Sequence, residues 1–220
     1  MRIRLRVVAA VAIALGLGLS LVRSRRATVA SETTMVPYYD ARDFTPRWSP
    51  VLHRVQSFHL IDQQGRPFSD KDLDGKIHVA SFIFTSCPSV CPTLIQRLKP
   101  VQEALRNDKD VVMVSYSVTP LTDTPEVLAQ FGQRRGIDPD RWHLATGDLN
   151  EVKGVLHNSY FADDPRPTDG NDGQTPSRLL HTEKVILVDG NRHLRGIYNG
   201  THAFEMERLL EDIAALQAER

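Results

Sequence analysis

The chain has 220 residues, 41% of them apolar and 25% charged, which fits one globular domain plus a leader and excludes a wholly disordered chain or a polytopic membrane protein. Lysine plus arginine and aspartate plus glutamate each total 27, so no basic excess drives the chain onto nucleic acid. Only two cysteines occur, Cys87 and Cys91. A bond between residues so close would restrain little of the unfolded chain, so the pair suits chemistry better than stapling.

Residues 1–30 read as an export signal or membrane anchor. Val7 to Val22 carries no charge and follows Arg2, Arg4 and Arg6, a pattern that suits a signal core or a short, thin span. Arg23, Arg25 and Arg26 follow directly, and a cleavage site after Ala30 would lie far beyond the apolar run, so an anchor retained in the membrane is expected. The basic N-terminus places the rest of the chain on the extracytoplasmic, periplasmic side. Residues 31–56 hold Pro37, Pro46 and Pro50 with no sustained period and read as a linker and irregular lead-in. The domain proper is then 57–220.

Within it, Phe58 to Ile61 and Arg66 to Phe68 flank a glycine turn and predict a small hairpin. Lys76 to Phe84 is apolar without alternation, as a central strand covered on both faces should be. From Pro92 to Asn107 the apolar spacing is helical, with Pro100 marking a kink or break. Val111 to Val118 predicts a second buried strand. Thr124 and Pro125 cap a helix that ends at Gly136. Trp142 to Ala145 suits a short strand, and Asn150 to Phe161 a helix. Asp163 to Arg178, rich in proline and glycine, predicts a long exposed loop. A hairpin around Asp189-Gly190-Asn191 and an amphipathic helix from Ala203 to Leu216 close the chain. This order gives an α/β class with a central mixed sheet flanked by helices, which is thioredoxin-like. No glycine-rich phosphate loop appears, which argues against a nucleotide enzyme.

Cys87 falls in the turn after a buried strand and Cys91 at the start of the next helix, where outward-pointing amides favour a thiolate. The spacing allows two chemistries: a disulfide under oxidation, or chelation of a soft cation. Sulfur with imidazole suits Cu(I), with zinc as the general competitor. Among eight histidines, His181 has a positional reason, because it stands where the long loop meets a strand expected beside the one that leads to the cysteines. The other seven suit surface or core roles.

Three stretches then carry a resemblance. Phe82-Ile83-Phe84-Thr85-Ser86-Cys87-Pro88-Ser89-Val90-Cys91-Pro92, Ser115-Tyr116-Ser117-Val118 with Asp123-Thr124-Pro125-Glu126, and His181 ahead of Val185-Ile186-Leu187-Val188-Asp189-Gly190 resemble the SCO/SenC family in order and spacing across residues 57–215. The resemblance implies a thioredoxin-like copper chaperone. Its ligands would be Cys87, Cys91 and His181, its cargo a copper ion, Cu(I) or Cu(II), and its role the assembly of the copper A centre of cytochrome c oxidase. The implied partners are the oxidase's copper-binding subunit, an unidentified copper donor and the membrane. Two positions depart from the family: Thr119 stands where many members have an acid before proline, and Leu180 where many have aspartate. Asp123 is the carboxylate retained nearby. The competing reading is an extracytoplasmic thiol-disulfide oxidoreductase in which Cys87 and Cys91 form a redox pair and His181 is dispensable. The local pattern of a peroxiredoxin is absent.

Overall fold

A computed structural model describes residues 35–162 and 183–220. The apolar run of the leader, the loop from Asp163 to Arg178, and His181 lie outside the described residues. No helix among the described residues is long and apolar enough to cross a membrane.

β1 (His59–Asp62) and β2 (Pro67–Ser69) make the expected hairpin, turned by Gly65 at a φ of 75° that favours glycine. One turn of 3-10 helix, Asp70–Leu73, leads to β3 (Ile77–Ile83). Then follow α1 (Val90–Ala104), β4 (Val111–Ser117), α2 (Pro125–Arg135), β5 (Trp142–Thr146), α3 (Leu149–Gly154, extended by a π turn over Val155–Ser159), β6 (Lys184–Val188), β7 (Leu194–Asn199) and α4 (Ala203–Ala218). The strands form one sheet in the order β2-β1-β5-β4-β3-β6-β7. β3, β4 and β5 run parallel, whereas β6 is antiparallel to β3. This is the mixed, thioredoxin-like arrangement that the element order predicts.

The continuous apolar strands are explained by parity. Ile77, Val79 and Ile83 of β3 join Val111 and Met113 of β4 under α1, α2 and α4. Ala80 and Phe82 alternate with them and face Val112, Val114 and Tyr116, Phe58 and the α3 residues Val152 and Leu156. Both faces are therefore covered, as parallel strands require. α2 is bounded as its caps predict: Thr124 Oγ1 accepts from the Val127 amide at 3.4 Å, and Gly136 closes the helix at φ 67°. α1 does not break at Pro100. Gln96, whose carbonyl loses its helical donor at the proline, and Pro100 itself both lie on the exposed flank, and the helix runs through.

Residues 35–56 form no helix or strand, as an irregular lead-in should, and belong to the same compact unit as the rest of the described chain. Val36 and Val55 are each 1% exposed, and Tyr39 bridges Leu194 at the start of edge strand β7. Two isolated valines among polar residues have no period for sequence reasoning to detect.

The face under α3 also holds a buried polar chain. His78 Nε2 lies 3.0 Å from Tyr160 Oη, which lies 3.0 Å from Tyr116 Oη. Burial pushes the His78 pKa down to about 3. Between pH 6.5 and 3 only the unfolded chain takes up this proton, so the neutral ring contributes stability that is lost as pH falls below 6.5. Urea unfolding should show a loss of about 1.4 kcal/mol per pH unit from this residue. In His78→Gln, which cannot titrate, the slope should be shallower by that amount.

Candidate metal and dithiol site

The site forms where β3 runs out. Ile83 is sealed, Phe84 is half-buried, and the chain turns as the Cys87 amide donates to the Phe84 carbonyl at 3.2 Å. α1 starts three residues later. Ser89, ahead of it, makes no side-chain cap, and the first turn holds no acidic residue. Cys87 Sγ occupies that position, accepting the Cys91 amide at 3.4 Å. The sulfur thus meets the positive end of a helix without a competing carboxylate.

Both cysteines are free and buried, Cys87 at 7% and Cys91 at 2% exposure, yet their acidities separate. Burial acts to raise the Cys87 pKa, but hydrogen bonds from Cys91 and Ser89 outweigh it and hold the group below the usual thiol range. Deeper burial pushes Cys91 up to about 12; one backbone hydrogen bond at Phe84 offsets this only partly, while the bond to Cys87 and the charge of Asp123 add to it. The pair therefore joins one sulfur of raised acidity to one held protonated well above neutral pH.

Beneath the turn lies Asp123, 1% exposed. Its Oδ1 accepts from Thr85 Oγ1 at 2.6 Å. Its Oδ2 accepts from the Thr85 amide at 3.1 Å, Ser117 Oγ at 2.7 Å and Thr119 Oγ1 at 3.0 Å. The carboxylate therefore ties the start of the cysteine turn to the end of β4 and the approach to α2. The departure at Thr119 now has a physical sense: its hydroxyl donates to Asp123, which an ionised acid at that position could not do. Thr85 and Ser117 lie within the stretches that carry the family resemblance and Thr119 at one of its departures, but the sequence assigned none of them a role at the site. The available signal was the run of hydroxyls around one retained aspartate.

Of the three site residues expected from sequence, the structure brings Cys87 and Cys91 together, and His181 is outside the described residues. β6, which follows His181, pairs with β3 so that Val188 meets His78 and Ile186 meets Ala80. The start of β6 therefore points toward the sheet end that carries the cysteines. Among the described residues no group of three histidine, cysteine or acidic side chains is placed to hold a metal. Described histidines have other surroundings: His53 stacks on Phe161 at 4.4 Å, and His143 on Phe68 at 4.9 Å.

Residues 49–218 match the family model described as SCO1/SenC. The chain belongs to the SCO1/SenC family. Among solved structures it is similar to a SCO1/SenC family lipoprotein from Bacillus anthracis, with 31% identity, a TM-score of 0.65, and coverage of 77% of this chain and 98% of that one. It is also similar to BsSco, described as a member of the Sco family of cytochrome c oxidase assembly proteins with a disulfide switch, with 26% identity, a TM-score of 0.63, and coverage of 76% and 95%. A third is Bradyrhizobium japonicum ScoI with copper bound, with 25% identity, a TM-score of 0.54, and coverage of 70% and 98%.

Two outcomes follow for this SCO1/SenC site. At neutral pH, Cys91→Ser should leave Cys87 reactive toward iodoacetamide, whereas Cys87→Ser should leave Cys91 slower by at least about tenfold; equal rates would contradict the asymmetry. Asp123→Ala strands the Thr85 amide and three hydroxyls, and should cost roughly 2–4 kcal/mol in chemical denaturation.

Proposed function

We propose that the chain is a membrane-tethered copper chaperone in which Cys87, Cys91 and His181 hold a copper ion for delivery to the copper A centre of cytochrome c oxidase. The observation that carries this reading is the free thiol pair at the start of α1, in a chain whose solved relative from Bradyrhizobium japonicum has copper bound. Two soft sulfurs on one turn fit Cu(I) better than a hard cation, and an imidazole would complete a three-donor set suited to either copper oxidation state. Copper is cargo here, so the site must take it and give it up. The implied partners are the oxidase's copper-binding subunit and a copper donor. The described part of the chain would stand on the extracytoplasmic side, tethered through residues 1–30.

The competing reading on the same residues is a thiol-disulfide oxidoreductase, in which the more acidic Cys87 would be the attacking sulfur. The Cys87 thiolate would attack a target disulfide, one target sulfur would leave as thiolate, and Cys91 would displace the second while closing the Cys87–Cys91 bond. The target gains two electrons and the pair loses them. Such a step would prepare a recipient's cysteines for metal.

An anaerobic Cu(I) titration against a competing chelator separates the two. The reduced protein should take up one tight equivalent, and His181→Ala, Cys87→Ala and Cys91→Ala should each lose it. Equal binding by wild type and His181→Ala, or none by either, would leave the dithiol role as the function.

A further inference from the structure

Folding does not account for one part of the lead-in. Six large apolar side chains are exposed among the described residues, and three of them, Met35, Trp48 and Leu52, fall within residues 35–56. Trp48 is 61% and Leu52 99% exposed. The bend that carries them is nevertheless held at both ends. Ahead of it, Tyr38 and Arg47 exchange two backbone hydrogen bonds of 2.8 Å; after it, the Val55 amide donates to the Arg192 carbonyl at 2.9 Å. His53 adds a third fixing point, with Nε2 at 2.9 Å from the Ser159 carbonyl oxygen and its ring stacked on Phe161. An ordered loop that holds an indole and a leucine out of the core is the pattern of a docking element.

Charge and chain length indicate what it docks on. Residues 44–61 contain no aspartate or glutamate, in a chain whose charges otherwise balance, and Arg47 and Arg54 flank the bend. Arg47 spends part of its charge on Asp40 at 3.4 Å and keeps half its side chain in solvent. Upstream, only residues 23–34 separate the apolar run of the leader from Met35, and they begin with Arg23, Arg25 and Arg26. Fully extended, such a stretch reaches about 40 Å at most, so a chain held in a bilayer by that run keeps the bend close to the lipid surface. Tryptophan and leucine beside arginine are what the boundary between headgroups and acyl chains selects.

We propose that residues 48–52 form a second, peripheral membrane contact, with Trp48 and Leu52 entering the headgroup boundary of an anionic bilayer while Arg47 and Arg54 meet lipid phosphates. This rests on the tethered reading above and adds to it. A tether at one point lets a domain swing freely, whereas two contacts limit the orientations in which it meets a membrane-embedded partner.

The two tryptophans make the test direct. Trp142 is 0% exposed, so a lipid-borne quencher can reach only Trp48. The full 220-residue chain is placed in phosphatidylcholine and phosphatidylglycerol vesicles with plain or brominated acyl chains, and emission is compared after flotation. Brominated lipid should quench the wild type. The quench should vanish in Trp48→Phe and fall at least about twofold in Leu52→Glu, an exposed position whose change leaves the core intact. Protein that floats with the vesicles while Trp48 stays unquenched overturns the proposal and leaves the tether standing. Protein that does not float overturns both.

Discussion

A carboxylate sealed from water must collect donors, and the way Asp123 collects four decides how the cysteine turn is built. The donors come from Thr85, just past the end of β3, and from Ser117 and Thr119 at and just past the end of β4, where the two parallel strands would otherwise diverge into separate loops. Buried hydrogen bonds to a charged acceptor are among the stronger ones available to a protein, and the penalty for breaking one falls on every partner left unpaired. The turn is therefore fixed from below before any ligand arrives. α1 then fixes it from the side, because the sulfur of Cys87 takes the Cys91 amide that no side chain caps. Two independent constraints converge on one loop.

The sheet below makes this possible by being sealed on both faces and apolar except along one narrow line. Ser81, Ser115 and Ser117 lie on the α1 side of β3 and β4, where larger apolar residues would fit the strand pattern equally well. Ser81 and Ser115 bond each other at 2.6 Å, Ser115 also accepts from the Trp142 indole at 2.8 Å, and Ser117 donates to Asp123. Small hydroxyl residues leave room beneath the helix and keep every polar group partnered. The cost of burying them is offset within the line itself.

Where the sequence carried a repeating signal, it was legible. The unbroken apolar run before the cysteines placed β3, and threonine, proline and glycine placed both ends of α2, because these features are local. The cysteine pair was legible for the same reason. The Asp123 network was not, since Thr85 and Asp123 stand 38 positions apart and nothing local announces their meeting; only the retained aspartate hinted at it. The packing of the lead-in was not legible because burial there depends on single residues: Val36 is buried and the Val55 amide reaches Arg192, and neither contact has a period. Of the kink or break that Pro100 announced, the break does not occur: proline's cost in a helix depends on its surroundings, and Pro100 lies on an exposed flank of a continuous helix.

The two ends of the sheet carry opposite constraints. At the end away from the cysteines, the guanidinium of Arg195, 2% exposed, meets Asp189 at 3.1 Å, Glu219 at 2.9 Å and the carbonyls of Val36 and Pro37 at 2.6 and 3.2 Å. One side chain thus gathers the lead-in, the β6–β7 turn and the end of α4. Removing a partner would leave a buried charge uncompensated, which makes this end costly to open. The register places it at the far end of β3 from Cys87: Val188 pairs with His78 and Leu194 with Val188, while the cysteines follow Ile83. Seven residues of strand, about 20 Å, separate the closed end from the reactive one. Val36 and Pro37 bring the lead-in onto that closed end. The cysteine turn shares none of these contacts and is held by hydrogen bonds of its own, those to Asp123 and the one from the Cys91 amide to the Cys87 sulfur.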